Sequence, residues 1–115
     1  LICPMLDARR MEVYAAIYDK ALNEIRPIQA DIVDVNTYSK FLKEHQVLFF
    51  GNGACKCIKE INNGNAILIK DIKPLAKNMF PLAEKKYREE KFEDVAYFVP
   101  FYLKDFVAQA PKKLI

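Results

Sequence analysis

Within "MLDARRMEVYAAIYD", residues 5–19, two apolar runs flank a glycine-free turn, Asp7-Ala8-Arg9-Arg10, with Glu12 just beyond it. Two chemistries fit these residue types. In one, Asp7 accepts backbone N–H bonds as an Asx turn and the arginines stay solvated. In the other, the planar, many-donor guanidinium groups of Arg9 and Arg10 grip a carboxylate or phosphate on a partner protein or RNA. Asp7 also stands near the end of an expected strand, where a carboxylate could hold a catalytic metal. A two-metal site needs several such acids. The stretch "VLFFGNG" at 47–53 has none, and nothing in the sequence brings Asp71 or Glu84 to Asp7. No metal site and no catalytic residue are expected.

The other candidates are weaker. Gly51-Asn52-Gly53 lies between an expected strand and an expected helix, where backbone N–H groups could approach a nucleotide. It is only a G-x-G, without a third glycine or a Lys-Ser/Thr pair, so a tight turn is the simpler expectation and no cofactor is assigned. His45 is the only histidine and has no evident nucleophile or acid beside it. Cys55 and Cys57, two apart on a helix, point in different directions and are not expected to share a metal. With Cys3 they make an odd set of three, which indicates reduced thiols rather than a disulfide framework, and a cytoplasmic location.

The totals narrow the classes further. The chain has 115 residues, 52% hydrophobic and 29% charged, which suits one folded core and excludes a disordered segment. Its net charge of +3 comes from 18 basic and 15 acidic residues scattered along the chain. Only Arg9-Arg10 and Lys112-Lys113 are basic clusters, so RNA contact through this domain alone is expected to be weak. No signal peptide is expected, and the sequence contains no apolar run of membrane-spanning length. It opens directly on a strand-like run without an initiator Met, as expected of a segment cut from something longer.

Positioning the candidates requires a scaffold. Residues 2–6 and 13–18 are apolar on both faces, which predicts strands inside a sheet covered on both sides. Pro4 fits the strand's beginning or a non-bonded side. A third strand is expected at 24–33, with a bulge or an edge at Pro27. Asp34 or Asn36 should cap a helix with the stripe Val35, Tyr38, Phe41 and Leu42, ending near His45. A short strand at 47–50 then leads into a helix carrying Ala54, Cys57, Ile58 and Ile61. A fifth strand follows at 66–69. Pro74 should open a third helix that buries Leu75, Met79, Leu82, Ala83 and Tyr87, with a bend at Pro81. An aromatic extension, "AYFVPFYLKDF", closes the pattern; it either covers a sheet edge or groove or presents surface. The order βββαβαβα makes an α/β domain around a mixed five-stranded sheet, and the ribonuclease H-like arrangement is the natural solution. That fold hosts nucleases, kinases, ATPases and inert scaffolds, so it does not decide function.

Four stretches, "PMLDARRMEVYAAIYD", "FFGNGA", "PLAKNMFPLA" and "VPFYLKD", resemble the carboxy-terminal half of the bacterial TsaB (YeaZ) family, relatives of the glycoprotease-like proteins. The most specific motif is D-A-R-x-x-E-V-Y at Asp7 to Tyr14, supported by P-x-Y-L-[KR] at Pro100 to Lys104. The resemblance implies an actin-like ATPase architecture of two ribonuclease H-like halves, this chain being the second. It also implies a non-catalytic scaffold role in making N6-threonylcarbamoyladenosine in tRNA, beside a TsaD-type catalytic subunit and a TsaE-type ATPase, with tRNA met indirectly. In that setting Asp7 and Glu12 are expected partners of the arginines. A half-protein of this kind is also expected to self-associate. The alternative class is an enzyme: a glycoprotease-type metal-dependent hydrolase or a nucleotide-binding ATPase.

Overall fold

The strands of a computed structural model, which describes residues 1–105, collect their alternate side chains on one buried face. β1 (Ile2–Asp7), β2 (Glu12–Tyr18) and β3 (Glu24–Ile32) come first, followed by α1 (Ser39–Leu42), β4 (Val47–Phe50), α2 (Ala54–Ile61) and β5 (Ala66–Leu68). A 3-10 turn, Ala76–Met79, then leads into α3 (Phe80–Arg88). The result is an α/β fold with one five-stranded mixed sheet in the order β3-β2-β1-β4-β5. β2 runs antiparallel to β1 and β3, while β4 lies parallel to β1 and to β5.

Register shows how the core forms. Met5 faces Ala15, Val13 faces Asp31, Cys3 faces Phe49 and Val47 faces Ala66. With a side-chain period of two, Cys3, Met5, Val13, Ala15, Ile17, Val47 and Phe49 therefore share one face. Tyr38 and Leu42, with Ala54, Cys57 and Ile61 of α2, complete this buried cluster. The Tyr38 and Phe49 rings meet edge to face with centroids 5.2 Å apart.

Among the described residues the expectation of cover on both faces is corrected. On the opposite side Ile2, Leu48 and Phe50 are half-buried, and Leu6, Ile28 and Ile32 are 49%, 40% and 76% exposed. An apolar run records that a strand could be buried on both sides; it does not supply the second layer. Pro4 lies inside β1 opposite Phe50, and the β1–β2 register passes from Ile2–Tyr18 to Met5–Ala15 across it. The irregular pairing of β2 with β3 falls between Ala15 and Tyr18, near the Arg26–Pro27 stretch.

Two helix expectations are corrected as well. The segment before α1 is a side-chain-stapled turn: Asp34 Oδ1 accepts the Asn36 N–H at 2.9 Å and the Thr37 hydroxyl at 2.7 Å. The helix proper begins only at Ser39, and Val35 is exposed. Pro81 does not bend α3, because it lies in the first turn, where a missing N–H costs no helical bond. None of the α3 residues expected in the core is buried; Met79, Leu82 and Tyr87 are 67%, 61% and 70% exposed. Tyr87 finds Phe92 instead, with ring centroids 5.7 Å apart. Phe106, at the end of the aromatic extension, and Lys112-Lys113 lie outside the described residues.

Candidate functional site

The β1–β2 hairpin begins with the Asx turn: the Arg9 N–H donates to Asp7 Oδ1 at 2.8 Å. Backbone bonds from Ala8 N–H to the Glu12 carbonyl and from Glu12 N–H to the Arg9 carbonyl close the loop. Closing it puts two successive arginines in the left-handed region, with φ 74° at Arg9 and 45° at Arg10. For a residue with a Cβ, that conformation costs about 1–2 kcal/mol.

The start of α2 holds this hairpin from beneath. Gly51 has φ +98°, and a Cβ there would lie 2.3 Å from the Met5 carbonyl oxygen. A Cβ on Gly53 would meet Val13 Cγ1 at 2.8 Å. Both glycines are required by the close approach of the turn to β1. Asn52 Oδ1 accepts the Asp7 N–H at 2.9 Å, Gly53 N–H donates to the Met5 carbonyl, and Ala54 N–H donates to the Gly51 carbonyl. The amides of Gly53 and Ala54 are thus engaged within the fold.

That docking brings Lys56 of α2 to the hairpin, where its ammonium donates to Asp7 Oδ1 at 2.6 Å. The Lys56 bond, followed by the Arg9 N–H, holds the Asp7 carboxyl below the usual carboxylate range. Glu12 Oε1 accepts from Lys104 Nζ at 2.6 Å. Both carboxylates expected to pair with Arg9 and Arg10 are therefore taken by lysines. Among the described residues the two guanidinium groups make no ion pair or side-chain hydrogen bond, and both arginines are exposed. Asp7, Arg9, Glu12, Tyr14, Tyr102 and Lys104 border a shallow depression of about 740 Å³.

A second cluster was not legible as a site. Asp31 Oδ1 and Oδ2 accept from Arg26 Nη1 at 3.0 Å and Nη2 at 2.5 Å, and the Tyr38 hydroxyl donates to Asp31 Oδ2 at 2.7 Å. Arg26 also lies 5.4 Å over the Tyr38 ring. Burial, then the Asp31 bond, pushes the Tyr38 hydroxyl far above its ordinary range, so it stays protonated. The only available signal was two opposite charges inside one strand, at Arg26 and Asp31, ahead of an aromatic residue.

The remaining candidates are dispersed. His45 is exposed beyond α1. Cys57 and Cys3 are buried while Cys55 is exposed, and all three are free. Burial pushes the Cys3 thiol up to about 12. Glu84 pairs with Arg88 at 2.7 Å on α3, and Asp71 is exposed beyond β5. Among the described residues no three His, Cys, Asp or Glu side chains gather closely enough to hold a metal ion. No helix among them is long and apolar enough to cross a membrane. No protein family model matches the chain, and no curated protein matches it.

Proposed function

We propose that the chain is a non-catalytic scaffold subunit in the synthesis of N6-threonylcarbamoyladenosine in tRNA, built on a ribonuclease H-like domain and acting with a TsaD-type catalytic subunit and a TsaE-type ATPase. The reading starts from the motif resemblance. One observation supports it most: the two stretches that carry the resemblance meet at one corner, where Lys104 of the second donates to Glu12 of the first, 92 residues away in the chain. Shared motifs distant in sequence acquire a common purpose when they form one contact. The order of elements, three strands and then helices alternating with strands, agrees with the same reading.

In this scheme the charged residues of the motif build the corner. Asp7 anchors the hairpin turn and receives Lys56, and Glu12 receives Lys104. The competing ATPase reading loses its main support, since the Gly53 and Ala54 amides already have acceptors.

The test is the nucleoside content of tRNA from cells in which the encoding gene is silenced. Threonylcarbamoyladenosine should fall in tRNAs that read codons beginning with A, and re-expression should restore it. Unchanged modification would dismiss the reading. Micromolar binding of ATP with magnesium by the chain in calorimetry would favour the ATPase class instead.

A further inference from the structure

We propose that the corner between the β1–β2 hairpin and the Phe101–Lys104 stretch docks a segment of a partner protein that alternates acidic and apolar residues, its carboxylates bound by Arg9 and Arg10. The scaffold reading bears on who the partner is; the surface itself does not depend on it.

Charge complementarity selects the partner's sign. Lys56 is matched by Asp7 and Lys104 by Glu12. Among the described residues, what remains at the corner is two exposed guanidinium groups against one carboxylate, Asp105, which borders the depression beside Arg9. A guanidinium presents parallel N–H donors that fit both oxygens of a carboxylate. The hairpin also holds these two side chains on left-handed backbone, where glycine or asparagine would sit at lower cost.

The surroundings select a protein over a nucleic acid. Ile32 borders a depression together with Arg9 and Arg10. Leu6, Ile28, Phe101 and Tyr102 border an adjoining one, and Lys104 lies in both. An exposed apolar shelf with arginine and aromatic side chains at its edge has the composition of a protein interface core and its anchors. Branched aliphatic side chains give nothing to a phosphate backbone, whereas the apolar side chains of an alternating segment can cover Ile32, Leu6 and Ile28 beside the arginines.

The probe is a short fluorescent peptide alternating Glu with Leu and Phe, beside its Gln counterpart and unfractionated tRNA. Binding is read by anisotropy and by amide shifts of the chain. The Glu peptide should bind, with shifts centred on Arg9, Arg10, Ile32 and Tyr102, and the Gln peptide should bind about tenfold more weakly. Arg9→Gly with Arg10→Gly, which relieves the left-handed strain and so keeps the hairpin folded, should lose about tenfold in affinity for the Glu peptide. Arg9→Lys with Arg10→Lys should recover only part, because charge returns without the fork. Equal binding of the two peptides, an unaffected glycine double variant, or no peptide binding overturns the proposal. Tighter binding of tRNA at the same residues also overturns it, in favour of a nucleic-acid surface. Peptide binding that survives while silencing leaves tRNA modification unchanged would reject the scaffold reading and keep the docking surface.

Discussion

Lys56 spans the gap between α2 and the β1–β2 hairpin and spends its ammonium on three acceptors there: Asp7 Oδ1 at 2.6 Å, the Arg10 carbonyl at 2.6 Å and the Glu12 carbonyl at 2.8 Å. An ammonium has three N–H donors, so none is left over. The contact joins a helix to a loop 44 or more residues away and fixes the hairpin that carries Arg9 and Arg10.

Replacing Lys56 by Met keeps most of the stem's packing and removes all three bonds. The side chain is 23% exposed, so water can repair part of the loss at the two carbonyls. A destabilisation of about 1–3 kcal/mol is expected from unmade bonds of this kind, read as a lower urea midpoint at unchanged slope. Lys56→Arg should recover only part, since a planar fork cannot reach three divergent acceptors. A midpoint unchanged in Lys56→Met would mean that the clamp carries no stability.

The same contact sets a pH dependence. The folded-state pKa of Asp7 is depressed, first by Lys56 and then by the Arg9 N–H. A depressed carboxylate contributes stability that is present above its unfolded value, about 3.9, and is lost as pH falls through the folded value. The stability gap between the parent and Lys56→Met should therefore be flat from neutral pH to about 4 and narrow below that. Asp19 and Asp34 are also depressed, by bonds to Asn23 and Thr37 respectively, but act in both proteins and cancel in the difference. An NMR titration of the Asp7 carboxyl carbon should show its midpoint rising in the variant. An unmoved midpoint would contradict the assignment to Lys56.

Asp31, 8% exposed, compensates Arg26 and accepts from Tyr38 at the margin of the core. Asp31→Ala leaves a half-buried guanidinium without its carboxylate and a buried hydroxyl without its acceptor. The expected cost is about 3–5 kcal/mol, measured by denaturation. Replacing the group together, Arg26→Met, Asp31→Leu and Tyr38→Phe, should cost far less, because the desolvated charge leaves with its partner. If the triple variant were as unstable as Asp31→Ala, the loss would come from packing rather than from the uncompensated charge.

The parts of this architecture that could be read from the chain are those fixed by neighbours in sequence. Short continuous apolar runs placed β1, β2 and β4, and the Gly51-Asn52-Gly53 turn marked the start of α2. The Asx turn at Asp7 was legible because its donor and acceptor are two residues apart. Contacts made across the fold were not. Lys56 is an ordinary polar residue on an amphipathic helix until α2 is docked, and Lys104 meets Glu12 only because the chain returns to the hairpin. The α3 stripe failed for a related reason: Leu82 and Tyr87 mark which side of a helix is apolar, while burial needs a surface opposite it. The open face of the sheet was misjudged in the same way, since Leu6 and Ile32 are as apolar in sequence as Met5 and Val13.

Gly51 and Gly64 separate conformational need from mere turn location. Both stand in turns between a strand and a helix, and both would be read from sequence as punctuation. At Gly51 a Cβ would lie 2.3 Å from the Met5 carbonyl oxygen, and φ is +98°. At Gly64 a Cβ would meet nothing within 4 Å. Gly51→Ala must therefore move β1 away from the turn or force the turn to a new backbone conformation. It should cost about 3 kcal/mol or more and displace Asn52 from the Asp7 amide. Gly64→Ala should stay within about 0.5 kcal/mol of the parent. Because the turn positions α2, and α2 positions Lys56, Gly51→Ala should also raise the Asp7 titration midpoint, whereas Gly64→Ala should leave it where it is. Equal stabilities for the two variants would show that the turn does not press on β1, and the route by which α2 steadies the hairpin would have to be abandoned.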